Sequence, residues 1–145
     1  MEKKKIVSIV SMCFLAASVA LMWLPSGVAM RFVSDPGPPM EYVTFHYSYI
    51  SGMPIGYGNW FPDVTVILSF AVLLLLLAKE ARKPANGRNL KKSVLICLSI
   101  CIIASPLSWL IFGGAYSITV IGISVLALHA AALAMQIIFR RMEEF

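Results

Sequence analysis

This chain has little charge. Only 13% of its 145 residues are charged, with 7 acidic side chains, whereas 59% are hydrophobic and the mean hydropathy is +0.83. A soluble domain carries about a quarter charged residues, so this composition excludes one. The composition instead indicates an integral membrane protein.

Long uncharged runs predict four membrane spans in a single domain, 1–145, and thus an all-α antiparallel four-helix fold. A span needs roughly 20 apolar residues to cross a hydrocarbon layer of about 30 Å. We divide the last long run at the paired glycines Gly113 and Gly114, because one helix of that length would be too long for the bilayer. The predicted spans are about 6–29, 60–78, 93–112 and 117–139, with loops at 31–62 and 79–92.

The basic residues are distributed unevenly along the chain. Eleven of the 12 Lys and Arg residues lie before the first span, between the second and third, or after the fourth, and only Arg31 falls on the other side. Because cytoplasmic flanks retain Lys and Arg, this pattern predicts cytoplasmic N- and C-termini in the cell membrane, with 79–92 as a cytoplasmic loop and 31–62 as the outer loop. The net charge of +5 is therefore attributed to membrane topology, and nucleic acid is not expected as a partner.

The N-terminus has an alternative interpretation. The basic start, the apolar run and the small residues 27–29 also resemble a cleaved secretory signal. We favour a retained first span, because the apolar region before Pro25 exceeds the usual signal-peptide core of about 7 to 15 residues.

Cysteine is also scarce. Cys13, Cys97 and Cys101 all fall within predicted spans, so the outer loop has no disulfide framework. Cys97 and Cys101 are four residues apart, whereas redox proteins use the shorter C-x-x-C spacing. Buried, packed thiols are expected, and a redox or metal-binding function of these three cysteines is kept as an alternative. We find no catalytic, cofactor-binding or metal-binding motif, and this disfavours an enzyme.

Acidic residues are missing from the middle of every predicted span. Small multidrug exporters have the same number of spans but depend on a glutamate inside the first helix, so this chain departs from them. His129 is the one conventional titratable side chain deep within a span, and such residues are candidates for function. A small oligomeric transporter or channel using His129 and a kink at Pro106 is therefore the first alternative function, ahead of the redox or metal-binding one. The competing interpretation of His129 is a neutral, hydrogen-bonded histidine in the core.

The outer loop is unusually aromatic. In 44–49, aromatic Phe45, Tyr47 and Tyr49 alternate with Thr44, His46 and Ser48, a period-two pattern that predicts a short β-hairpin. Asn59 precedes the second span as a helix cap. The aromatic side chains would shape the loop or line a cup for a lipid tail, a peptide or a cation. The candidate ligand or partner residues are thus Tyr47, Tyr49, Tyr57, Asn59, Trp60 and His129.

The segment before the second span resembles one found in a group of uncharacterised small bacterial four-span membrane proteins. The resemblance rests on a Tyr-rich, Pro-x-Gly-Tyr-x-Asn stretch, here Tyr47, Tyr49, Pro54, Gly56, Tyr57, Asn59 and Pro62. It implies four spans and no particular activity. Together, these features lead us to expect an accessory or interaction protein that binds membrane lipids, another membrane protein or a second copy of itself.

Overall fold

A computed structural model describes residues 2–35, 37, 39–51, 59–81 and 87–144. Most of them belong to four helices: α1 Glu2–Met22, α2 Phe61–Ala81, α3 Gly87–Phe112 and α4 Val120–Glu144. Three strands accompany them, β1 Val28–Asp35, β2 Glu41–Tyr47 and β3 Tyr116–Ser117, and a 3-10 turn, Gly113–Ala115, joins α3 to β3.

All four helices are long and apolar enough to cross a membrane, over Lys3–Met22, Phe61–Glu80, Asn89–Ala115 and Val120–Met142. Large apolar side chains such as Ile67, Leu74 and Leu110 are about two-thirds exposed. Conversely, nine of the buried side chains among the described residues are polar: Ser8, Ser11, Ser18, Asn59, Thr65, Ser69, Ser108, His129 and Gln136. An apolar exterior is suited to lipid as the surrounding solvent, so the fold indicates a multi-pass membrane protein.

The first helix is shorter than the predicted span 6–29, because α1 ends at Met22. Pro25 has no amide hydrogen to donate, and its ring disfavours helical backbone at Leu24. Turn hydrogen bonds follow, with the Leu24 amide donating to Leu21 O and the Gly27 amide to Leu24 O. Residues 28 and 29 then begin β1, so the helix ends about two turns earlier than hydropathy alone suggests.

The strands form one sheet in the order β2–β1–β3, with both pairings antiparallel. β1 and β2 pair as a hairpin, and β2 includes residues 44–47 of the segment in which period-two alternation was noted. β3 is too short to have a sequence pattern and was not expected; it pairs Ser117 with Ala29 and Tyr116 with Met30. The sheet thereby joins the α1–α2 connection to the α3–α4 connection.

Two hydrophobic clusters hold the described elements together. One lies among the helices and contains Leu15, Val72, Leu76, Val94, Leu98 and Ala132. The other packs one face of the sheet onto the helix ends and contains Met22, Val28, Met30, Tyr49, Tyr116 and Val125. We call this end of the helices the sheet end, and the opposite end, which carries Lys79, Lys91 and Arg140, the basic end.

Helix α3 ends at Phe112, directly before Gly113. Gly113 has a φ of +47°, a left-handed conformation that costs other residues steric strain. The glycine therefore lets the chain turn sharply out of the helix into the 3-10 turn and β3.

Candidate functional site

His129 lies at the centre of a polar cluster formed by three helices. Its side chain is fully buried, with Nε2 at 2.7 Å from Ser69 Oγ of α2 and Nδ1 at 3.2 Å from Ser18 Oγ of α1. Nδ1 also lies 2.8 Å from the carbonyl oxygen of Val125, one turn earlier in α4. Both ring nitrogens therefore have partners, as a buried imidazole requires.

The partners restrict where the protons lie. A carbonyl oxygen only accepts, so the 2.8 Å contact with Val125 calls for a proton on Nδ1 of His129. In the neutral ring, Nε2 then accepts the Ser69 hydroxyl proton. If Nε2 were also protonated, the Ser69 hydroxyl could accept from it and donate instead to Thr65 O, which is within hydrogen-bond distance of Ser69 Oγ. Two proton arrangements thus fit the same heavy-atom positions.

Other buried contacts continue this polar interior towards the basic end. The Gln136 amide donates to Ser11 Oγ at 2.8 Å, and Ser11 Oγ donates to Ala132 O at 3.4 Å. Nearer the helix ends, the Ser8 hydroxyl donates to Glu80 Oε1 at 2.6 Å. These contacts join α1 to α4 and α1 to α2, so the polar side chains serve helix association as well as any chemistry.

The cysteines lie in three different environments. Cys13 is exposed, Cys97 is half-buried and Cys101 is fully buried. Cys101 Sγ lies 3.9 Å from Ser69 Oγ and 3.8 Å from Thr65 O, which places it beside the histidine cluster. Among the residues that the structure describes, no three His, Cys, Asp or Glu side chains are grouped to hold a metal ion.

Asn59 acts as a cap at the start of α2. Its Oδ1 accepts the Phe61 amide at 3.4 Å and the Ser108 hydroxyl of α3 at 3.0 Å, and the side chain is fully buried. The side-chain oxygen satisfies one of the amides that a helix N-terminus leaves unpaired. The geometry gives Asn59 a structural role that also ties α2 to α3.

The aromatic candidates are distributed over different surroundings. Tyr49 is 4% exposed and its amide donates to Met22 O at 3.1 Å, whereas Trp60 is 72% exposed. Tyr47 is half-buried against the cluster beneath the sheet. Tyr57 lies outside the described residues. A shared aromatic cup therefore stays a hypothesis, with Tyr49 inside the fold and Trp60 on its surface.

Tyr49 closes the sheet end of the helices. A methyl group added at Gly27 would lie 2.7 Å from Tyr49 Cδ2, and one added at Gly122 would lie 3.4 Å from the Tyr49 hydroxyl oxygen. The ring is thus held between the α1–β1 connection and α4. Burial, and secondarily the nearby Tyr116, raises the pKa of the Tyr49 phenol. The fold accordingly keeps this hydroxyl neutral.

Three adjoining cavities surround β3 at the sheet end, and Ile118 lines all of them. We call them together the side groove. The first, about 620 Å³, lies between Arg31 and Trp109; the second, about 510 Å³, lies over the outer face of the sheet. The third, about 100 Å³, extends between α3 and α4. Its lining residues are Tyr49, Ser105, Pro106, Trp109, Tyr116, Ile118, Thr119, Gly122, Ile123 and Leu126.

Sequence reasoning missed this groove as a site. It recognised Arg31 only as the single basic residue on its side of the membrane, and it recognised the glycine pair only as a turn. Those two signals together could have indicated where the side groove lies. The chain that follows the α3–α4 turn needs a neighbouring segment to pack against, and β1, which contains Arg31, follows the first span directly. The pairing of β1 with β3 is what brings Arg31 beside Trp109 and Ile118.

Comparison with known proteins adds no relative: the chain matches no protein-family model and has no significant match among curated proteins. The site must therefore be interpreted from its own chemistry.

Proposed function

We propose that this protein is a multi-pass protein of the cell membrane that binds a membrane lipid in its side groove and acts as an accessory protein. In this proposal the helices form an antiparallel bundle with both termini in the cytoplasm. The concentration of Lys and Arg at the basic end supports that orientation. The sheet end and the side groove then belong to the outer leaflet.

The observation that carries the proposal is the change in chemistry along the side groove. At the sheet its lining includes Arg31 and Ser117, whereas between α3 and α4 it is mostly apolar, with Ile123 and Leu126. A lipid shows the same change in polarity along its length, from a polar head group to an apolar acyl chain. Trp109, 47% exposed, lies where the two regions meet, as tryptophan does at membrane interfaces.

The dimensions are consistent with an acyl chain entering from the side. Leu126 lies six residues into α4, which corresponds to about 9 Å along the helix axis. One leaflet of the hydrocarbon layer is about 15 Å thick. The apolar part of the groove would therefore hold the upper part of a chain, and the remainder would lie against the exposed side of α3, where Ile103 is 61% exposed.

The transporter alternative has less support from the geometry. His129 is fully buried, its nitrogens are paired with Ser18, Ser69 and Val125, and it does not line any of the three cavities of the side groove. Pro106, by contrast, lines the innermost cavity. The groove therefore supports a lateral binding site more directly than it supports a path through the helices.

Lipid retention measured by native mass spectrometry after detergent extraction tests this function. The unmodified chain is expected to keep one lipid, and the Ile118→Trp variant is expected to lose it, because the larger ring would occupy the space common to all three cavities. Ile96→Trp is the matched control: it makes the same change at a similarly exposed isoleucine on α3 that lines none of the three cavities.

Equal retention by Ile118→Trp and Ile96→Trp would contradict the proposal. A melting curve for each variant separates loss of binding from loss of the fold, since Ile118 is 54% exposed and its replacement should leave the core unchanged.

A further inference from the structure

The two faces of β1 differ sharply. Val28 and Met30 point towards the helices and are at most 1% exposed, so this face belongs to the core. Ala29 and Arg31 alternate with them and therefore belong to the other face, where Ala29 is 2% exposed beneath its neighbours and Arg31 is exposed. Directly opposite Ala29 are His46 on β2 and Ser117 on β3, and Thr44 is opposite Arg31. One sheet face thus gathers an arginine, a histidine and two hydroxyl side chains.

Ala29 makes this face concave. In a sheet, directly opposed residues have Cβ atoms about 5 Å apart, so the small side chain of Ala29 lies between the longer His46 and the hydroxyl of Ser117. This position coincides with the 510 Å³ cavity, which Ala29, Arg31, Thr44, His46, Ser117 and Thr119 help to line. A larger residue at position 29 would fill the hollow.

Arg31 provides the charge. It is exposed, it lines both larger cavities, and no carboxylate among the described residues pairs with it. The Glu41 carboxylate is on β2 near the hairpin tip, in register with Asp35 and away from the Arg31–Thr44 pair. A guanidinium group presents two parallel N–H donors that match phosphate oxygens.

We infer that this hollow binds the phosphate head group of an anionic membrane lipid, with Arg31 as the charged donor and Thr44, His46 and Ser117 as further hydrogen-bond donors. This inference rests on the proposed function, because the acyl chain of the same lipid occupies the apolar part of the side groove. Hydroxyl and imidazole groups each supply a donor to a phosphate oxygen. The hollow thus determines which head group is preferred, whereas the apolar part of the side groove accepts any acyl chain.

Competition between two lipids tests the inference. The full chain is reconstituted in nanodiscs that contain phosphatidylcholine and phosphatidylglycerol, and native mass spectrometry gives the ratio of the two lipids retained. We expect the unmodified chain to prefer phosphatidylglycerol, because the choline of phosphatidylcholine would bring a second positive charge close to Arg31. Arg31→Gln removes that repulsion and should reduce the preference about tenfold. Arg31→Lys should keep part of it, since the charge remains but the paired donors do not.

Lys4→Gln is the charge-matched control, because it removes one positive charge at the basic end. Its head-group preference should equal that of the unmodified chain. If Arg31→Gln retains lipid with an unchanged preference, the head-group inference is wrong although lipid binding stands. If the unmodified chain and Ile118→Trp retain lipid equally, the proposed function itself fails.

A second measurement separates lipid phosphate from soluble phosphate. Inorganic phosphate is titrated into the delipidated protein in detergent and followed by phosphorus NMR. We expect no saturable, Arg31-dependent binding, because a lipid head group is held partly through its acyl chain and inorganic phosphate has none. Saturable binding of inorganic phosphate that is lost in Arg31→Gln, without any change in lipid preference, would overturn the assignment to a lipid.

Discussion

Replacing Gly27 with alanine should destabilise the sheet end through a single steric conflict. The new methyl group would lie 2.7 Å from Tyr49 Cδ2 and 3.0 Å from Cε2, well inside van der Waals contact. Tyr49 has little room to move, because it is 4% exposed and its amide is bonded to Met22 O. Overpacking of this kind costs about 1–3 kcal/mol. A cost of about 2 kcal/mol would lower the melting temperature by about 4–8 °C.

The buried thiol of Cys101 offers a direct assay. A dye that becomes fluorescent on reaction with thiols reports unfolding during heating, because Cys101 is fully buried in the folded chain. Cys13 and Cys97 are exposed and half-buried, so both should first be replaced, with serine and alanine respectively, to remove their background reaction. The unfolding midpoint of each glycine variant is then compared in that background.

Two further variants test whether the contact with Tyr49 causes the loss of stability in Gly27→Ala. Gly122→Ala is the comparison variant: its methyl group would meet Thr119 Oγ1 at 3.3 Å, and Gly27 O and the Tyr49 hydroxyl oxygen at 3.4 Å, so it should cost less than Gly27→Ala. In a Tyr49→Leu background the Gly27→Ala cost should fall below about 0.5 kcal/mol, because the ring is gone. An unchanged cost in that background, or no cost at all in the original chain, would show that the Gly27–Tyr49 contact does not limit this site.

Three further results are expected. Ser69→Ala should cost about 1 kcal/mol by leaving a ring nitrogen of His129 unpaired, and in a thermal double-mutant cycle this cost should largely disappear in a His129→Leu background. Gly113→Ala should cost about 1–2 kcal/mol because of its positive φ, whereas Gly114→Ala, whose methyl group meets nothing within 4 Å, should leave the melting temperature unchanged. Because burial raises the pKa of Tyr49, stability should be complete below about pH 10 and fall at higher pH, and Tyr49→Phe should lessen that fall.

The features that were predictable from the sequence are those with a local cause. Hydropathy located four helices, because each span must be apolar along its own length. Alternation between polar and aromatic residues indicated strand structure around Phe45, since a strand presents successive side chains to opposite faces. Pro25 marked the end of α1, although the predicted span was extended beyond it to residue 29.

The remaining features depend on contacts between distant parts of the chain. Tyr116 and Ser117 form β3 only because β1 is available as a partner, and two residues cannot show a period. Likewise, Ser18 and Ser69 resemble many other small residues in the spans until helix packing directs them at His129. The side groove combines both effects, so its lining could not be read from any one segment.

The central position of β1 in the sheet also implies an order of assembly during synthesis. β1 can pair with β2 soon after both emerge, because only residues 36–40 lie between them in sequence, but its other edge must wait until α2 and α3 have been made and β3 follows. Until then Ala29 and Met30 have no neighbours across that edge, and the hollow beside Ala29 lacks its Ser117 wall. Lipid binding at this site would therefore begin only once the last helix is being inserted, so a bound lipid would act as a marker of the completed chain.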